Sequence, residues 1–494
     1  MTDASWGFRQ KARMFAAVYS CLGAIGCAVG PDYRTPLLSL PGQWSAADAK
    51  GPRKTAGLAR WWMRLDDPLL NALIQEAGES NLDVATAKAK IRDARATARR
   101  SSAALSPSLT GSGSAEQARS AVVQGISSDS ASQIQEGFDA SWEIDLFGAN
   151  RRGAEAATRE VEATEDDLQN TLVTLLGDVA SYYIDARAAQ ARAALARRSV
   201  ASQRKTASLT KAKFEAGSAV AADVANAEAQ ASNTEANIPN YESTFATDLH
   251  RLSVLVGRDP DALAKRLAKA APIPAPRGEL SRGIPASVLV ARPDVRAAER
   301  RLAESTASVG KAEAGLYPSI TLTGPITTTG QRLGDLAKYS SVAWSLGPSV
   351  TIPLFDGGKL RAAVALAKAE RDANFSAYRA AVLKALEDVE NAVVSLAGER
   401  RRTASLADSA KNYRQASELS QALYDNGSSS FLDVLDAERS LYSAEDSLLQ
   451  SRASVAKDYV ALAKALGGGW DGAVDSAKPE VVDADVGPRL ASPQ

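Results

Sequence analysis

The chain has few of the side chains on which catalytic and metal sites usually depend. Its 494 residues include one histidine, His250, and two cysteines, Cys21 and Cys27. His250 lies in a helical run near other polar residues, so we interpret it as a surface or packing residue. No nucleophile with a partner base can be recognised by motif, and we therefore expect no enzyme, no metal site and no cofactor.

A net charge is also absent. The chain carries 58 basic and 58 acidic residues, which leaves no formal excess of either sign. Proteins that bind nucleic acid normally present an excess of positive charge. The composition therefore gives no support for a nucleic acid partner.

Long apolar runs are missing after the first 27 residues. No stretch of 18 apolar residues occurs there, whereas a helix that spans a bilayer needs about 20. A chain can also cross a bilayer as the strands of a closed barrel, which leave an alternation of apolar and polar residues. Any part of this chain that crosses a membrane is therefore expected to consist of strands.

Apolar and polar residues alternate in four segments. Two are long, Ile134 to Leu146 and Ser341 to Leu354, and two shorter ones follow Pro107 and Pro318. The aromatic residues fall on the apolar side and the other side is fully polar, which favours a membrane barrel over a soluble sheet with one wet face. Three acidic residues on the polar side of the second segment are predicted to line the channel and to favour cations: Asp139, Glu143 and Asp145.

Four strands are too few to close a barrel, because the smallest membrane barrels have about eight. If these strands cross a bilayer, the chain must assemble with copies of itself, and three copies would supply twelve strands. The segments 120–133 and 327–340 are rich in serine, glycine and threonine. We interpret them as the outer turns of two β-hairpins.

The landmarks of the chain occur twice, at a spacing of about 210 residues. The matched residues keep their order: Pro107 and Pro318, Leu146 and Leu354, Gly217 and Gly427, Asp223 and Asp433, Glu228 and Glu438. Two copies of one unit in one chain indicate an internally duplicated protein and a pseudo-symmetric, cylindrical assembly.

Between the strand pairs the apolar period becomes helical. Gly148 to Ala216 has no proline in 69 residues, and a helix of this length would reach roughly 100 Å. Ala219 to Val256 would return about half of that distance, and the segments from Gly357 to Tyr424 and from Ser430 to Leu466 repeat the pair. A periplasmic coiled-coil scaffold without a channel would show the same helices, so this alternative stays open.

The N-terminus has the layout of a bacterial lipoprotein signal. A basic start precedes a short apolar run that ends at Ala24-Ile25-Gly26-Cys27. We expect cleavage before Cys27 and covalent attachment of lipid to this residue. Cys21 is a weaker rival, and a chance cysteine in an ordinary signal peptide is the alternative.

The predicted organisation has six parts. They are a signal peptide (1–26), a lipid-anchored extended segment (27–65), repeat 1 (66–270), a Pro-rich linker (271–284), repeat 2 (285–466) and a polar C-terminal tail (467–494). Each repeat is expected to hold a helix, a β-hairpin and a long helical hairpin.

Four motifs, in this order, give the chain a family resemblance. They are Gly26-Cys27-Ala28-Val29-Gly30-Pro31-Asp32-Tyr33, Trp61-Trp62 with Asp67-Pro68, Leu354-Phe355-Asp356-Gly357-Gly358, and Ala465-Leu466-Gly467-Gly468-Gly469-Trp470. On a chain with two repeats they resemble the TolC-like outer membrane factors, in particular the lipoprotein branch of the OprM/NodT type. The resemblance covers nearly the whole mature chain.

The resemblance implies a mixed α/β membrane protein that forms a homotrimer. Four strands per chain would form a 12-stranded transmembrane β-barrel in the outer membrane, continued by a long α-helical barrel in the periplasm. The trimer would be the passive exit duct of a tripartite efflux pump for small molecules. Its partners would be a periplasmic adaptor and an inner-membrane transporter of the resistance-nodulation-division type. A type I protein secretion duct is the alternative within the same class.

The resemblance also implies a periplasmic gate near the tips of the helical hairpins. Asp433 and Asp436 match constricting carboxylates, and Leu432 matches an apolar constriction. Asp223 and Tyr424 match residues that link neighbouring hairpins in the closed state. The tips on which the adaptor would dock are Gly217, Ser218, Gly427 and Ser428.

Two features of the tip sequence put part of this gate in doubt. Ser430-x-x-Asp433 also reads as a capping box, in which Asp433 would only hold the start of a helix. Family members often carry an arginine near this tip, whereas Asp425 and Ser429 occupy the candidate places here. Asp433 therefore has two readings, gate residue and helix cap.

Overall fold

The computed structural model describes residues 28–36, 58–119, 130–277, 289, 291–469, 482–483 and 487–488. The predicted signal peptide and Cys27 lie outside the described residues, as do the linker beyond Arg277 and most of the C-terminal tail. The chain forms two compact units. The first contains Met1–Leu37, Ile91–Thr164 and Ala297–Arg379, and the second contains Leu38–Lys90, Glu165–Arg296 and Ala380–Gln494.

The described residues form nine α-helices and seven strands. The helices are α1 Pro68–Ser80, α2 Leu82–Ala103, α3 Ala149–Glu215, α4 Ala221–Glu235, α5 Asn237–Leu255, α6 Ala264–Leu267, α7 Pro293–Ala314, α8 Lys359–Asp425 and α9 Phe431–Ala465. The strands are β1 Ser108–Arg119, β2 Ser130–Ile144, β3 Ser319–Gly330, β4 Val342–Trp344, β5 Gly347–Thr351, β6 Val482–Asp483 and β7 Gly487–Pro488. No described helix is both long enough and apolar enough to cross a membrane.

The long helices begin and end within two residues of the predicted bounds. Helices α3 and α8 each have 67 residues, as the absence of proline and the high alanine content predict. The return segment of repeat 1 was expected as one helix from Ala219 to Val256, and this is wrong, because it breaks at Ala236 between α4 and α5. Pro239 follows three residues later and has no N–H to donate to the preceding turn.

The first unit contains an antiparallel sheet in which β1 pairs with β2, β2 with β3, and β3 with both β4 and β5. One continuous strand was expected from Ser341 to Leu354, and this is wrong, because the segment forms two strands, β4 and β5, with an interruption at residues 345–346. The register does not change across the interruption, since Trp344 lies opposite Ile326 and Gly347 lies opposite Thr323. The break faces Pro325, which cannot donate a hydrogen bond to its neighbour.

The register confirms the predicted division of the sheet into two faces. Phe138 lies opposite Ile326, which in turn lies opposite Trp344, so large apolar residues of three strands share one face. On the other face, Asp139 and Glu143 lie opposite Pro325 and Thr321. Period-two alternation therefore located both faces correctly.

The N-terminal motif belongs to the first unit, where it packs against α3 and α7. Val29 N–H donates to the carbonyl of Phe147 at 3.1 Å, and the Arg152 guanidinium lies 2.7 Å from the Asp32 carboxylate. The Tyr33 hydroxyl donates to Glu299 at 2.8 Å. A Cβ atom at Gly30 would lie 2.4 Å from Gly310 Cα, so only glycine fits at this contact. These contacts give physical roles to Gly30, Asp32 and Tyr33.

The core of the second unit is built around Trp61, which is fully buried. Trp62 and Tyr459 make edge contacts with its ring at centroid distances of 5.8 and 6.4 Å. A Cβ atom at Gly468 would lie 2.6 Å from the Leu58 carbonyl oxygen. The Trp-Trp and Gly-Gly-Gly motifs therefore belong to one packing arrangement.

These contacts correct one expectation about the segments that flank the repeats. Residues Trp61–Leu65 form a 3-10 helix, although the segment 27–65 was expected to be extended. Burial of Trp61 in the core supplies the order that local sequence does not.

Candidate functional site: the tips of the helical hairpins

The two helical hairpins reverse direction in the same way. Gly217 lies two residues after the end of α3 and has a φ of 78°, and Gly427 lies two residues after the end of α8 and has a φ of 76°. Ser218 N–H donates to the Lys213 carbonyl and Ser428 N–H donates to the Leu423 carbonyl, each at 2.8 Å. This is a Schellman motif, which glycine favours because an L side chain is strained at positive φ.

Asp433 holds the start of helix α9. Its carboxylate accepts hydrogen bonds from the hydroxyl of Ser429 at 2.7 Å and from the hydroxyl and N–H of Ser430 at 2.9 and 3.1 Å. The Ser430 hydroxyl in turn accepts from Asp433 N–H. Hydrogen bonds from Ser429 and Ser430 lower the pKa of Asp433, so the capping reading has full structural support.

Asp436 and Leu432 are free of that network and face outward. The Leu432 side chain is 57 % exposed, and Asp436 is exposed one turn into α9. Asp436 lies in a groove between α8 and α9 with Tyr413 and Arg439. Since neither Asp436 nor Asp223 forms an ion pair within the described residues, both keep a carboxylate available to other groups.

Tyr424 joins the two hairpins of one chain. Its side chain is 4 % exposed, and its hydroxyl donates to Thr210 of α3 at 3.0 Å. The Lys213 ammonium lies 3.7 Å from the centre of its ring, and Phe431 makes an edge contact at 6.2 Å. The structure does not bring Tyr424 and Asp223 into contact, and Asp223 lies half-exposed in the first turn of α4.

Sequence reasoning missed a buried carboxylate next to this contact. Glu438 of α9 is 9 % exposed and accepts hydrogen bonds from Thr206 at 3.0 Å and Ser202 at 3.4 Å, both in α3. Burial raises the pKa of Glu438, and these two hydroxyl donors oppose the rise. The repetition of Glu228 as Glu438 marked the position, but it contained no sign that only one of the two is buried.

A second buried group was missed further along the hairpins. Asp248 of α5 is 8 % exposed. Burial, with a smaller contribution from the Asp185 carboxylate, raises the pKa of Asp248 from its ordinary 3.8 to about 6. Lys457 of α9 opposes this rise but is itself engaged by Asp185 at 2.8 Å. We therefore expect Asp248 to lose its proton near pH 6.

Replacement of Asp248 by asparagine is expected to stabilise the protein above pH 6 by about 2 kcal/mol and to have little effect below pH 4. The pKa of Asp248 is higher in the folded protein than in the unfolded chain, so the protonated carboxyl favours folding below the unfolded pKa. This contribution is lost as the pH rises through about 6, because the buried carboxylate then becomes charged. Asparagine stays neutral and avoids that cost. Thermal unfolding midpoints across this range would measure the difference. The exposed Glu242→Gln variant on the same helix serves as control, and an equal shift at every pH would contradict the assignment.

The three acidic residues predicted to line the channel differ in their surroundings. Asp139 and Glu143 are exposed on the polar face of β2. Asp145 lies beyond the end of this strand, where its carboxylate accepts from the Arg151 N–H at 2.8 Å and pairs with its guanidinium at 3.3 Å. The expected acidic lining is therefore reduced to Asp139 and Glu143, because Asp145 is held by Arg151.

In the part of the chain that the structure describes, no three histidine, cysteine or carboxylate side chains are grouped so that they could hold a metal ion. The arrangement at the tips consists of helix caps, hydroxyl contacts and exposed carboxylates, which can position helices and attract cations.

A profile of the family described as outer membrane efflux protein matches the chain twice, over residues 73–258 and 284–468. The chain belongs to this family. The two matches correspond to the two repeats that the recurring landmarks indicate, although the exact repeat boundaries stay a prediction.

Known members of the family and their structures are similar over nearly the full length. Nodulation protein T of Rhizobium leguminosarum bv. trifolii is 35 % identical over 451 residues, which are 90 % of this chain and 95 % of that protein. The toluene efflux pump outer membrane protein TtgI of Pseudomonas putida is 30 % identical over 455 residues, 90 % of this chain and 96 % of that protein. The structure of the outer-membrane channel OprN has a TM-score of 0.84 at 34 % identity and covers 90 % of this chain and 100 % of its own.

These findings confirm the predicted function in its general form. The protein is an outer membrane efflux channel, it is not an enzyme, and it is a component of an efflux pump. Its fold of long helices and strands in two repeats is that of the structurally characterised channels. The alternative of a periplasmic scaffold without a channel is therefore rejected.

Proposed function

We propose that three copies of this chain form the exit duct of a tripartite efflux pump. The sheets of the three chains close a 12-stranded barrel in the outer membrane, and the helices continue it as a helical barrel in the periplasm. Cys27 carries covalent lipid that anchors each chain to the outer membrane lipid. The cargo consists of small molecules, which agrees with the name of the toluene efflux relative.

One observation carries this proposal. Within the described residues, β1 pairs only with β2, and β4 and β5 pair only with β3, so the sheet has two open edges. Its apolar face exposes large side chains, with Trp344 at 74 %, Leu346 at 69 % and Phe138 at 58 %. Open edges and an apolar face of this size favour closure with other copies inside a bilayer.

The proposal also assigns partners and a gate to the duct. A periplasmic adaptor docks on Gly217, Ser218, Gly427 and Ser428, and an inner-membrane transporter of the resistance-nodulation-division type supplies the energy. The gate consists of Asp436 and Leu432 near the threefold axis, with Asp223 available to a neighbouring hairpin. Asp433 sets the start of α9, and Tyr424 fixes one hairpin of the chain to the other.

Two measurements on the detergent-extracted protein test the proposal. Native mass spectrometry should give three copies per particle, and planar bilayers should show discrete channels of small conductance. A monomer without conductance would reject the duct. The type I secretion alternative would be supported instead if the channel restored secretion of a protein in cells that lack their own duct.

The acidic residues of the sheet give a separate prediction about selectivity. Reversal potentials in a salt gradient should show a modest preference for cations, because Asp139 and Glu143 add six negative charges to the lumen of the trimer. The Asp139→Asn/Glu143→Gln variant should lose most of this preference. Asp145→Asn is the matched control and should keep it, because the Asp145 carboxylate already pairs with Arg151. Anion preference of the unmodified channel would contradict the lumen assignment.

A further inference from the structure

Three helices of one chain meet in a buried polar contact near the tips. Thr206 of α3 is 4 % exposed, and its Oγ lies 3.0 Å from Oε1 of Glu438 in α9. The same Oγ lies 3.2 Å from Oε1 of Gln421 in α8. Glu438 follows one turn after Val434, which is fully buried in the apolar cluster of the tips. A carboxyl group is therefore enclosed beside apolar side chains.

The orientation of the Gln421 amide is fixed by its second contact. Its Nε2 donates to Asp425 Oδ1 at 2.8 Å, so its oxygen is the atom that faces Thr206. An amide oxygen and a carboxylate oxygen are both acceptors, and a threonine hydroxyl supplies a single proton. The Ser202 carbonyl lies 3.3 Å from the same hydroxyl as a third acceptor. Thr206 thus has more acceptors around it than it has protons to donate.

The number of protons at this contact distinguishes the two charge states of Glu438. If Glu438 is ionised, it takes the Thr206 proton, and the oxygens of Thr206 and Gln421 then face each other at 3.2 Å without a proton between them. If Glu438 is protonated, it donates to Thr206, which in turn donates to Gln421. A buried acceptor without a donor is costly, so the contact favours the protonated form. Burial acts in the same direction, because it raises the pKa of Glu438.

The charged side chains near this contact point away from Glu438. Lys213 of α3 lies 3.7 Å from the centre of the Tyr424 ring. The others lie on exposed faces of the three helices: Arg204, Lys205 and Lys211 of α3, Arg414, Glu418 and Asp425 of α8, and Asp433, Asp436 and Arg439 of α9. The pKa of Glu438 is therefore set by its burial, which raises it, against the hydroxyls of Thr206 and Ser202, which lower it.

We propose that Glu438 binds a proton that joins α9 to α3 and α8, and that the channel opens more readily once this proton is lost. Loss of the proton leaves a buried charge and an unpaired acceptor at the contact, which loosens the tips. Because the folded-state pKa of Glu438 is raised, the contribution of the proton is present at low pH and is lost as the pH rises through that pKa. The inference rests on the proposed duct and adds a response to pH to its gate.

The first repeat does not contain a second site of this kind. Glu228, which corresponds to Glu438, is exposed, and Ala416 occupies the place that corresponds to Thr206. The two repeats therefore supply a matched pair of glutamates, of which only one is expected to hold a proton.

Infrared spectroscopy tests the proton directly. A protonated carboxyl group has a C=O stretching band that a carboxylate lacks, and this band should weaken as the pH is raised from about 5 to about 8. At the acidic end of this range, Glu438→Gln should have a weaker band than the unmodified protein. Glu228→Gln is the matched control and should leave the band unchanged, because Glu228 is exposed. If Glu438→Gln leaves the band unchanged as well, the inference fails.

The Gln421→Met variant tests the reason for the proton. It keeps the length of the side chain and removes the acceptor oxygen, so Thr206 can give its proton to an ionised Glu438. The loss of the infrared band should then shift to lower pH. Gln450→Met is the control, because Gln450 also donates to a carboxylate, that of Asp446, at a site away from Glu438. A titration that Gln421→Met does not move would contradict the shared proton.

Planar bilayer recordings test the consequence for the channel. The conductance of the unmodified protein should rise over the pH range in which the infrared band disappears. Glu438→Gln should keep a low conductance throughout, because its amide stays neutral and can still donate to Thr206. An equal response of both channels to pH would overturn the link between the proton and opening. Absence of any conductance would overturn the duct, whereas the infrared titration would still decide whether Glu438 holds the proton.

Discussion

Replacing Asp436 by asparagine is expected to raise the single-channel conductance roughly threefold or more, with weaker block by divalent cations. In the proposed trimer, three Asp436 carboxylates approach the axis at the narrow end of the duct. Clustered carboxylates bind divalent cations and narrow the path, and an amide of the same size removes the charge without removing bulk. Planar bilayer recordings with and without added divalent cations would measure both effects.

The matched control is Asp433→Asn, one turn earlier in the same helix. Its amide oxygen can still accept from Ser430, so the capping box is kept while the charge is lost. We expect little change in conductance, because the carboxylate already accepts from Ser429 and Ser430 within its own chain. A large rise at Asp433 and none at Asp436 would reverse the two assignments.

Replacing Trp61 by alanine is expected to cost about 3–5 kcal/mol of stability, which should abolish most of the trimer in detergent. Trp61 is fully buried, and its ring contacts Trp62 and Tyr459. Its carbonyl also accepts from the Tyr459 hydroxyl at 3.2 Å. Removal of the indole would leave a cavity at the centre of the second unit.

The neighbouring tryptophan provides the comparison. Trp62 is partly exposed, so Trp62→Ala should lower the thermal unfolding midpoint much less than Trp61→Ala. Circular dichroism of the two purified variants would measure this difference. If both variants lowered the unfolding midpoint equally, burial of the Trp61 ring in the core would not explain the stability that this motif provides.

The tips of the hairpins could be located from the sequence, whereas the gate beside them rests on the family resemblance and stays a prediction. Gly217 and Gly427 mark the tips because a tight reversal at positive φ needs glycine. The spacing Ser430-x-x-Asp433 predicted a capping box, and the same spacing was compatible with a gate carboxylate. The hydrogen bonds of Asp433 show that it caps α9, and the gate role of the exposed Asp436 stays a proposal.

The sequence by itself determined the features that depend on local periodicity. Alternation with a period of two defined the apolar and polar faces of β2 and β3, and proline-free helical segments defined α3 and α8. The recurrence of landmarks at about 210 residues defined the duplication. Each of these features depends on residues that are close together in the chain, or on a local pattern that occurs twice.

The tertiary structure alone decided which equivalent residues are buried and which charges are paired. Glu228 and Glu438 occupy the same place in the two repeats, yet only Glu438 is covered, because α3 packs against it. Asp145 continues the polar alternation of its neighbours but is bound by Arg151. Burial and ion pairing depend on which surfaces meet in space, and such meetings leave no local period in the sequence.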